Sequence, residues 1–273
     1  MASNKDSLGD RMKSFYENRS KTYLTRRTPV IIRLDGCHFH TFTRGFAKPF
    51  DRRMMEAMQE TTLALCNEIQ GCVLGYTQSD EITLVLVDYK SLDSEAWFDY
   101  NVQKLCSVAA SKATKHFNRI FAEKASGLMK RYYDNLLPNK SKYIDIIDDV
   151  GKVVNAYERA IKVGAEFDAR AFNIPIAEVT NCVLWRQQDA TRNSISSLAQ
   201  AHFSPKELHK KNTSEMQDML MEKFGVNWNN IETAQKRGAC VIKGEKGFII
   251  DREIPIFTGE GREYIEKLIV DPN

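Results

Sequence analysis

Asp35 closes a β-branched run, Val30-Ile31-Ile32-Arg33-Leu34, and Gly36 follows it at once. Asp80 and Glu81 sit in Gln78-Ser79-Asp80-Glu81, between two further apolar arms at 72–77 and 82–87. Carboxylates gathered in one place repel each other unless a divalent cation neutralises them, and their hard oxygens suit Mg2+. Asp35 and Asp80, with a backbone oxygen of Gly36, therefore form a candidate site for two Mg2+ ions about 3.5–4 Å apart. One ion would assist an attacking hydroxyl, and the other would neutralise the phosphates of a leaving group. Adjacent strand residues face opposite ways, so Asp80 is taken as the ligand; Glu81 joins it only if the turn twists the two together.

Around these carboxylates lie residues suited to an anion. Gly36 lets the chain leave its strand sharply and lets a phosphate approach the backbone. The stretch Cys37-His38-Phe39-His40-Thr41-Phe42 would turn successive N–H groups towards a phosphate, as a backbone nest does. Lys48, before Pro49, is a cation placed to meet a triphosphate. Imidazole is a poor ligand for a triphosphate-bound Mg2+. One of His38 and His40 is accordingly assigned a hydrogen bond to phosphate or sugar, while Phe39 packs inward. No Ser/His/Asp pattern demands a covalent intermediate.

The elements that must hold these groups read as β–α–β–β–α–β. A helix is expected over 51–70, with Met54, Met55, Met58, Leu63, Leu65 and Ile69 as core positions. A strand–helix–strand crossover returns the next strand parallel, bringing Asp35 and the hairpin tip to one sheet edge. A second long helix is expected over 95–121, continuing towards 133, and a fourth strand at 162–167. Together these make an α+β, palm-type sheet of ferredoxin-like order, antiparallel, with helices on one face. In that order the first strand lies beside the third. Residues 1–170 are read as this catalytic region, and 171–273 as a mostly helical lobe packed on it. In the lobe, helices are expected at 176–192, 195–203 and 214–224, with a helix start at Ser204-Pro205. A hairpin of 238–243 and 248–250 turns on Gly-Glu-Lys-Gly.

Composition sets the frame. At 273 residues the chain can bury a full core, and 42% hydrophobic with 27% charged content is that of a soluble globular protein. No apolar run approaches the roughly 20 residues that cross a bilayer, so no membrane role is expected. Six cysteines without Cys-x-x-Cys spacing argue against zinc and for a reducing, intracellular and cytoplasmic setting. A net charge of +3 does not by itself imply a polyanion. Its distribution is uneven, however: Lys104, Lys112, Lys115, Arg119, Lys124, Lys130 and Arg131 stand against the single acid Glu123 between 103 and 131. This reads either as a solvated helix face or as a phosphate-backbone track, with Lys112, Lys115, Arg119 and Arg131 as candidate RNA contacts.

Taken in order, Arg33-Leu34-Asp35-Gly36-x-x-Phe39-His40-x-Phe42, Phe46-x-Lys48-Pro49-x-Asp51 and Tyr76-x-Gln78-Ser79-Asp80-Glu81 resemble the tRNA-His guanylyltransferase superfamily. Trp185-Arg186-Gln187-Gln188-Asp189 extends the resemblance, which covers about residues 10 to 260. It implies a polymerase working in the 3′–5′ direction, which uses Mg2+ and GTP, activates a 5′-monophosphorylated tRNA with ATP, and assembles as a homotetramer. Carried over, Asp35, the Gly36 carbonyl and Asp80 match metal ligands. Asp35, Gly36, Cys37, His38, Phe39 and His40, with Ser79 and Asp80, match nucleotide-binding segments. Glu81 matches an acidic position important for activity, and Lys48 a triphosphate contact. Eukaryotic members usually carry Arg where this chain has Cys37. They also carry a His-Ile-Asn-Asn-type stretch where it has Ala190-Thr191-Arg192-Asn193-Ser194-Ile195. The latter difference resembles the guanylyltransferase-like branch, which favours templated repair of 5′-truncated tRNA. In a eukaryote, a mitochondrial location stands beside a cytosolic one. Two other readings fit the same residues: a palm-fold nucleotide cyclase, and a tRNA-binding protein with a vestigial site.

Overall fold

The computed structural model describes residues 7–270. A short helix α1 (Ser7–Phe15) precedes strand β1 (Val30–Gly36) and a single turn of helix, α2 (Phe39–Phe42). Helix α3 (Arg52–Glu68), the hairpin β2 (Cys72–Gln78) and β3 (Glu81–Leu86), helices α4 (Val102–Arg131) and α5 (Ile144–Val163), and β4 (Phe167–Asn173) complete the first half. The second half runs α6 (Ile176–Gln200), α7 (Pro205–Leu208), α8 (Thr213–Phe224), α9 (Thr233–Arg237), β5 (Ala239–Gly244), β6 (Gly247–Asp251) and α10 (Glu263–Ile269).

The strands form one antiparallel sheet in the order β4-β1-β3-β2-β5-β6, so the first four strands have the expected ferredoxin-like order. Period-two alternation divides β1 between two cores. Val30, Ile32 and Leu34 pack under α3, α4 and α5, whereas Ile31 meets α6 and α10 on the opposite face. The helices of the first half thus cover one face, and the C-terminal lobe covers the other. A third, smaller cluster of Leu198, Phe203 and Leu220 joins the end of α6 to α8.

Helix α3 begins at Asp51, whose carboxylate accepts from Met54 N–H at 3.0 Å, an N-cap of the preferred kind. Of its expected core positions, Met54, Met58, Leu65 and Ile69 are buried; Met55 and Leu63 are only partly so. Ser204 and Pro205 open α7, as read from the sequence, and Glu207 completes a capping box there.

Several expectations need correction. The fourth strand is not at 162–167, because Lys162 and Val163 complete α5. The chain then turns at Gly164, where φ is +78°, and the strand starts at Phe167. The second long helix starts at Val102 rather than 95, since 97–100 forms a tight turn with left-handed Phe98, Asp99 and Tyr100. Asn101 then caps the helix, accepting from Lys104 N–H. Residues 176–200 form one helix, not two: Ser194, in the expected gap between them, is buried and takes a hydrogen bond from Trp228 Nε1 at 3.0 Å. The C-terminal hairpin does not lie upon the sheet; β5 pairs with β2 and extends it. A division at 170/171 would fall inside β4.

Candidate active site

Asp35 is the last carboxylate of β1 and stands directly across from Glu81 on β3 and from Asp168 on β4. Residues paired across antiparallel strands share a face, so three acids form a row. Burial raises the proton affinity of Asp35, and the charges of Glu81 and Asp168 raise it further; Arg170 and Arg33 only partly oppose this. Asp168 was not identified from the sequence because the misplaced fourth strand ended one residue before it.

Asp80 sits in the two-residue turn between β2 and β3. Ser79 adopts a left-handed φ of 50°, and its hydroxyl donates to Asp80 Oδ1 at 2.9 Å. The turn is tied to β1 by Gly36 N–H donating to the Asp80 carbonyl at 3.1 Å. Burial is the main cause that raises the Asp80 pKa; nearby Asp35 and Glu81 add to it, against hydrogen bonds that lower it. The carboxyls of Asp35 and Asp80 are thus both charges short of compensation.

Glu81 has a different setting. Its carboxylate meets Arg186 Nη1 at 2.9 and 3.2 Å, Arg33 Nη2 at 3.4 Å and Gln78 Nε2 at 3.1 Å. Arg186, 5% exposed, also reaches Asp189 at 3.4 Å. This network fastens α6 to the sheet, so Glu81 is held by guanidinium groups while Asp80, beside it, is not. Gln187 completes the attachment, donating to the Pro255 carbonyl at 2.8 Å and accepting from Phe257 N–H at 3.0 Å. The Trp-Arg-Gln stretch therefore acts as a joint between α6, β3 and the chain after β6.

Gly36 is required by packing as well as by the turn. A Cβ there would come within 2.2 Å of the Phe39 ring, which lies in the core against Phe42, Phe117 and Phe167. Phe39 packs inward, as expected, and leaves His38 and His40 exposed with ring centroids 6.4 Å apart. The N–H of Cys37 is already spent on the Glu166 carbonyl at 2.8 Å, so a backbone nest would begin at His38 instead. Burial, with Asp168, Glu166 and Asp35 nearby, pushes the Cys37 thiol up.

A cavity of about 470 Å³ opens beside the turn. His40, Lys48, Ser79 and Asp80 line one side, and Asn193, Ser194 and Ser197 of α6 line the other. Asp35, Gly36, Cys37 and His38 lie outside its wall. Asp51 shapes the loop that carries Lys48: it accepts from Ala47 N–H at 3.0 Å and from the buried Tyr157 hydroxyl at 2.7 Å. The N-cap position of Asp51, directly before an apolar-periodic stretch, was the signal from which this could have been read.

The basic stretch of α4 separates into two groups. Lys112 pairs with Glu68, Lys124 with Glu60 at 2.6 Å, and Arg119 with Glu123 at 2.9 Å, so these charges are largely met locally. Lys115 and Arg131 are exposed and make no ion pair among the described residues. Also among the described residues, no three His, Cys, Asp or Glu side chains converge to hold a metal unaided. Asp35 and Asp80 still fit Mg2+, which needs one or two carboxylates and takes its remaining oxygens from substrate phosphates and water.

A ferredoxin-like sheet carrying an acidic turn beside a nucleotide-sized cavity defines the class, and residues 9–175 match the family described as Thg1, tRNAHis guanylyltransferase. The chain belongs to that family. It is 31% identical over 248 residues to an uncharacterized protein of Acanthamoeba polyphaga mimivirus, covering 87% of this chain and 77% of that one. A bacterial tRNA(His) guanylyltransferase-like protein solved with ATP superposes with a TM-score of 0.79 at 42% identity, over 96% of this chain and 99% of its own. A solved complex of such a protein with GTP gives 0.74 at 39% identity, with the same coverage. All six cysteines are free thiols, and no described helix is long and apolar enough to cross a membrane.

Proposed function

We propose that this chain is a nucleotidyltransferase that extends the 5′ end of tRNA in the 3′–5′ direction. Its substrates are a 5′-phosphorylated RNA, ATP for activation, and GTP or a templated nucleoside triphosphate for addition. The observation that carries this reading is the pair Asp35 and Asp80, two under-compensated carboxyls at one sheet edge, with Asp80 opening onto a cavity that also holds Lys48. The ATP and GTP complexes of the similar bacterial proteins support nucleoside triphosphates as substrates.

In the activation step the 5′ phosphate oxygen attacks the α-phosphorus of ATP, and pyrophosphate leaves. In the addition step the 3′ oxygen of the incoming nucleotide bonds to the activated 5′ phosphorus, AMP leaves with the bonding electron pair, and the hydroxyl proton passes to solvent. Mg2+ held by Asp35, Asp80 and the Gly36 carbonyl would supply charge neutralisation and hydroxyl acidification at these phosphates. Lys48 meets the triphosphate in the cavity, with His40 beside it. Asp51 and Tyr157 position the Lys48 loop. Glu81 positions rather than reacts: it keeps α6, and so Asn193 and Ser197, against the turn. The protein thus contributes orientation and electrostatics, not a covalent intermediate. A homotetramer belongs to the same reading, and light scattering at assay concentration tests it.

The test incubates full-length and 5′-truncated tRNAs with each labelled triphosphate, ATP and Mg2+, and resolves products by length. Addition at the 5′ end with release of pyrophosphate and AMP is expected. A cyclic nucleotide formed from GTP without RNA, or RNA binding with no extension, would overturn the reading.

A further inference from the structure

Trp185 projects from α6 with 48% of its surface exposed, although it stands beside one of the most tightly held side chains in the molecule. The guanidinium of Arg186 lies 3.5 Å from the Trp185 ring centroid, and that of Arg33 lies 5.1 Å away. Arg186 is itself immobilised, buried and bonded to Glu81 and Asp189. The indole is therefore fixed in orientation by groups that belong to the acidic site, while nearly half of it faces outward. A ring held in this way loses little further entropy when a partner covers it.

What lies next to Trp185 indicates the partner. On the same face of the sheet, Arg33 stands directly across from Arg170 of β4. Like charges opposite one another across strands are unfavourable and invite an anion. Arg33 is engaged with Glu81, but Arg170 is 62% exposed, and its nearest carboxylate, Asp168, is 3.9 Å away. An available guanidinium and a fixed aromatic face, flanking the Asp35 row, match a nucleotide with its phosphate and its base. This nucleotide is distinct from the one in the cavity, because Trp185, Arg33 and Arg170 take no part in the cavity wall.

We propose that Trp185 is the platform on which the terminal base of the RNA strand stacks, with Arg170 receiving that nucleotide's phosphate. The inference rests on the RNA-directed reading above and adds to it where the RNA end lies. Trp185 and Arg170 hold the 5′ terminal nucleotide over Asp35, and the triphosphate enters from the cavity beside Asp80. Because every base has a π face, such a platform tolerates any terminal base, whereas the phosphate contact demands a 5′ phosphate.

The experiment uses the full chain and a 5′-phosphorylated RNA hairpin ending in a single unpaired purine. Two companion hairpins carry an abasic terminal residue or a 5′ hydroxyl. Binding is followed by intrinsic tryptophan fluorescence and, independently, by anisotropy of a label on the hairpin loop. The purine end is expected to quench emission in the native chain, and W185F is expected to lose that quench while keeping affinity. Replacing the purine by the abasic residue is expected to cost about tenfold in the native chain and nothing further in W185A. R170Q is expected to abolish the preference for a 5′ phosphate over a 5′ hydroxyl. Thermal stabilisation by ATP, which a structural role for Trp185 would alter, is expected to be equal in W185F and the native chain. An equal abasic penalty in native and W185A protein would overturn the platform and leave the proposed reaction standing. Failure of the hairpin to bind at all would overturn both.

Discussion

Asp80 and Glu81 are neighbours in the chain, but their removal should change stability with opposite signs. Glu81 compensates Arg186, a guanidinium 5% exposed, with contacts at 2.9 and 3.2 Å, and also holds Arg33 at 3.4 Å. Removing one partner of a buried pair costs about 3–5 kcal/mol. Arg186 keeps Asp189 at 3.4 Å, and the Glu81 side chain is 18% exposed, so the cost falls below the full range for a buried pair. Glu81→Gln is therefore expected to cost about 2–3 kcal/mol, which for a domain of this size lowers Tm by roughly 4–12 °C. Asp80→Asn has no cation to orphan. It removes a carboxylate whose charged form is disfavoured by burial and by Asp35, so Tm should be unchanged or slightly raised while nucleotide addition is nearly abolished. Scanning calorimetry without divalent ions, alongside single-turnover extension of tRNA, reads both quantities. An equal fall in Tm for the two variants would refute the separation into a positioning and a metal-facing acid. So would Glu81→Gln losing turnover at native Tm.

Further outcomes follow from the same geometry. In metal-free buffer the raised pKa values of Asp35 and Asp80 mean that the folded state binds these protons more tightly than the unfolded one. Their contribution to stability should thus improve as pH falls from above the folded values towards the ordinary carboxylate range, and Asp80→Asn should flatten that part of a Tm–pH curve. Added Mg2+ at neutral pH should raise Tm in the native chain and less in Asp80→Asn. Tyr157→Phe strips Asp51 of a buried hydrogen bond of 2.7 Å. It should cost about 1–2 kcal/mol and raise KM for the triphosphate through the Lys48 loop, as denaturant titration and steady-state kinetics would report. Gly36→Ala drives a Cβ into the Phe39 ring and should cost about 1–3 kcal/mol by urea unfolding. Replacing Lys115 and Arg131 together by Ala should reduce the salt dependence of tRNA binding by about two units of slope; Lys112→Ala, a partner of Glu68, should leave that slope unchanged.

Much of the molecule was legible in local pattern. The β-branched run 30–34, the apolar run 82–87, the periodicity of 51–70 and the Ser204-Pro205 start each correspond to an element found in place, because each depends on near neighbours in the chain. Boundaries were less legible where glycine or left-handed residues decide them. The run 162–167 is apolar enough to read as a strand, yet its first residues complete α5, whose buried face outweighs β propensity. The position of the C-terminal hairpin was illegible for another reason: its pairing partner, β2, lies far away in sequence, and pairing preferences do not name a strand's neighbour.

At the site the same division holds. The chain order of residue types alone marked Asp35, Gly36, Lys48 and Asp80 as candidates, since a carboxylate at a strand end and a cation in a loop carry their chemistry wherever they are placed. Strand alternation already set Asp80 apart from Glu81, but only the tertiary structure gave Glu81 its role, because its partner Arg186 lies more than a hundred residues further along the chain. Only the register of β4 brought Asp168 and Arg170 alongside Asp35 and Arg33. Charges act through space and burial, and one-dimensional order carries neither.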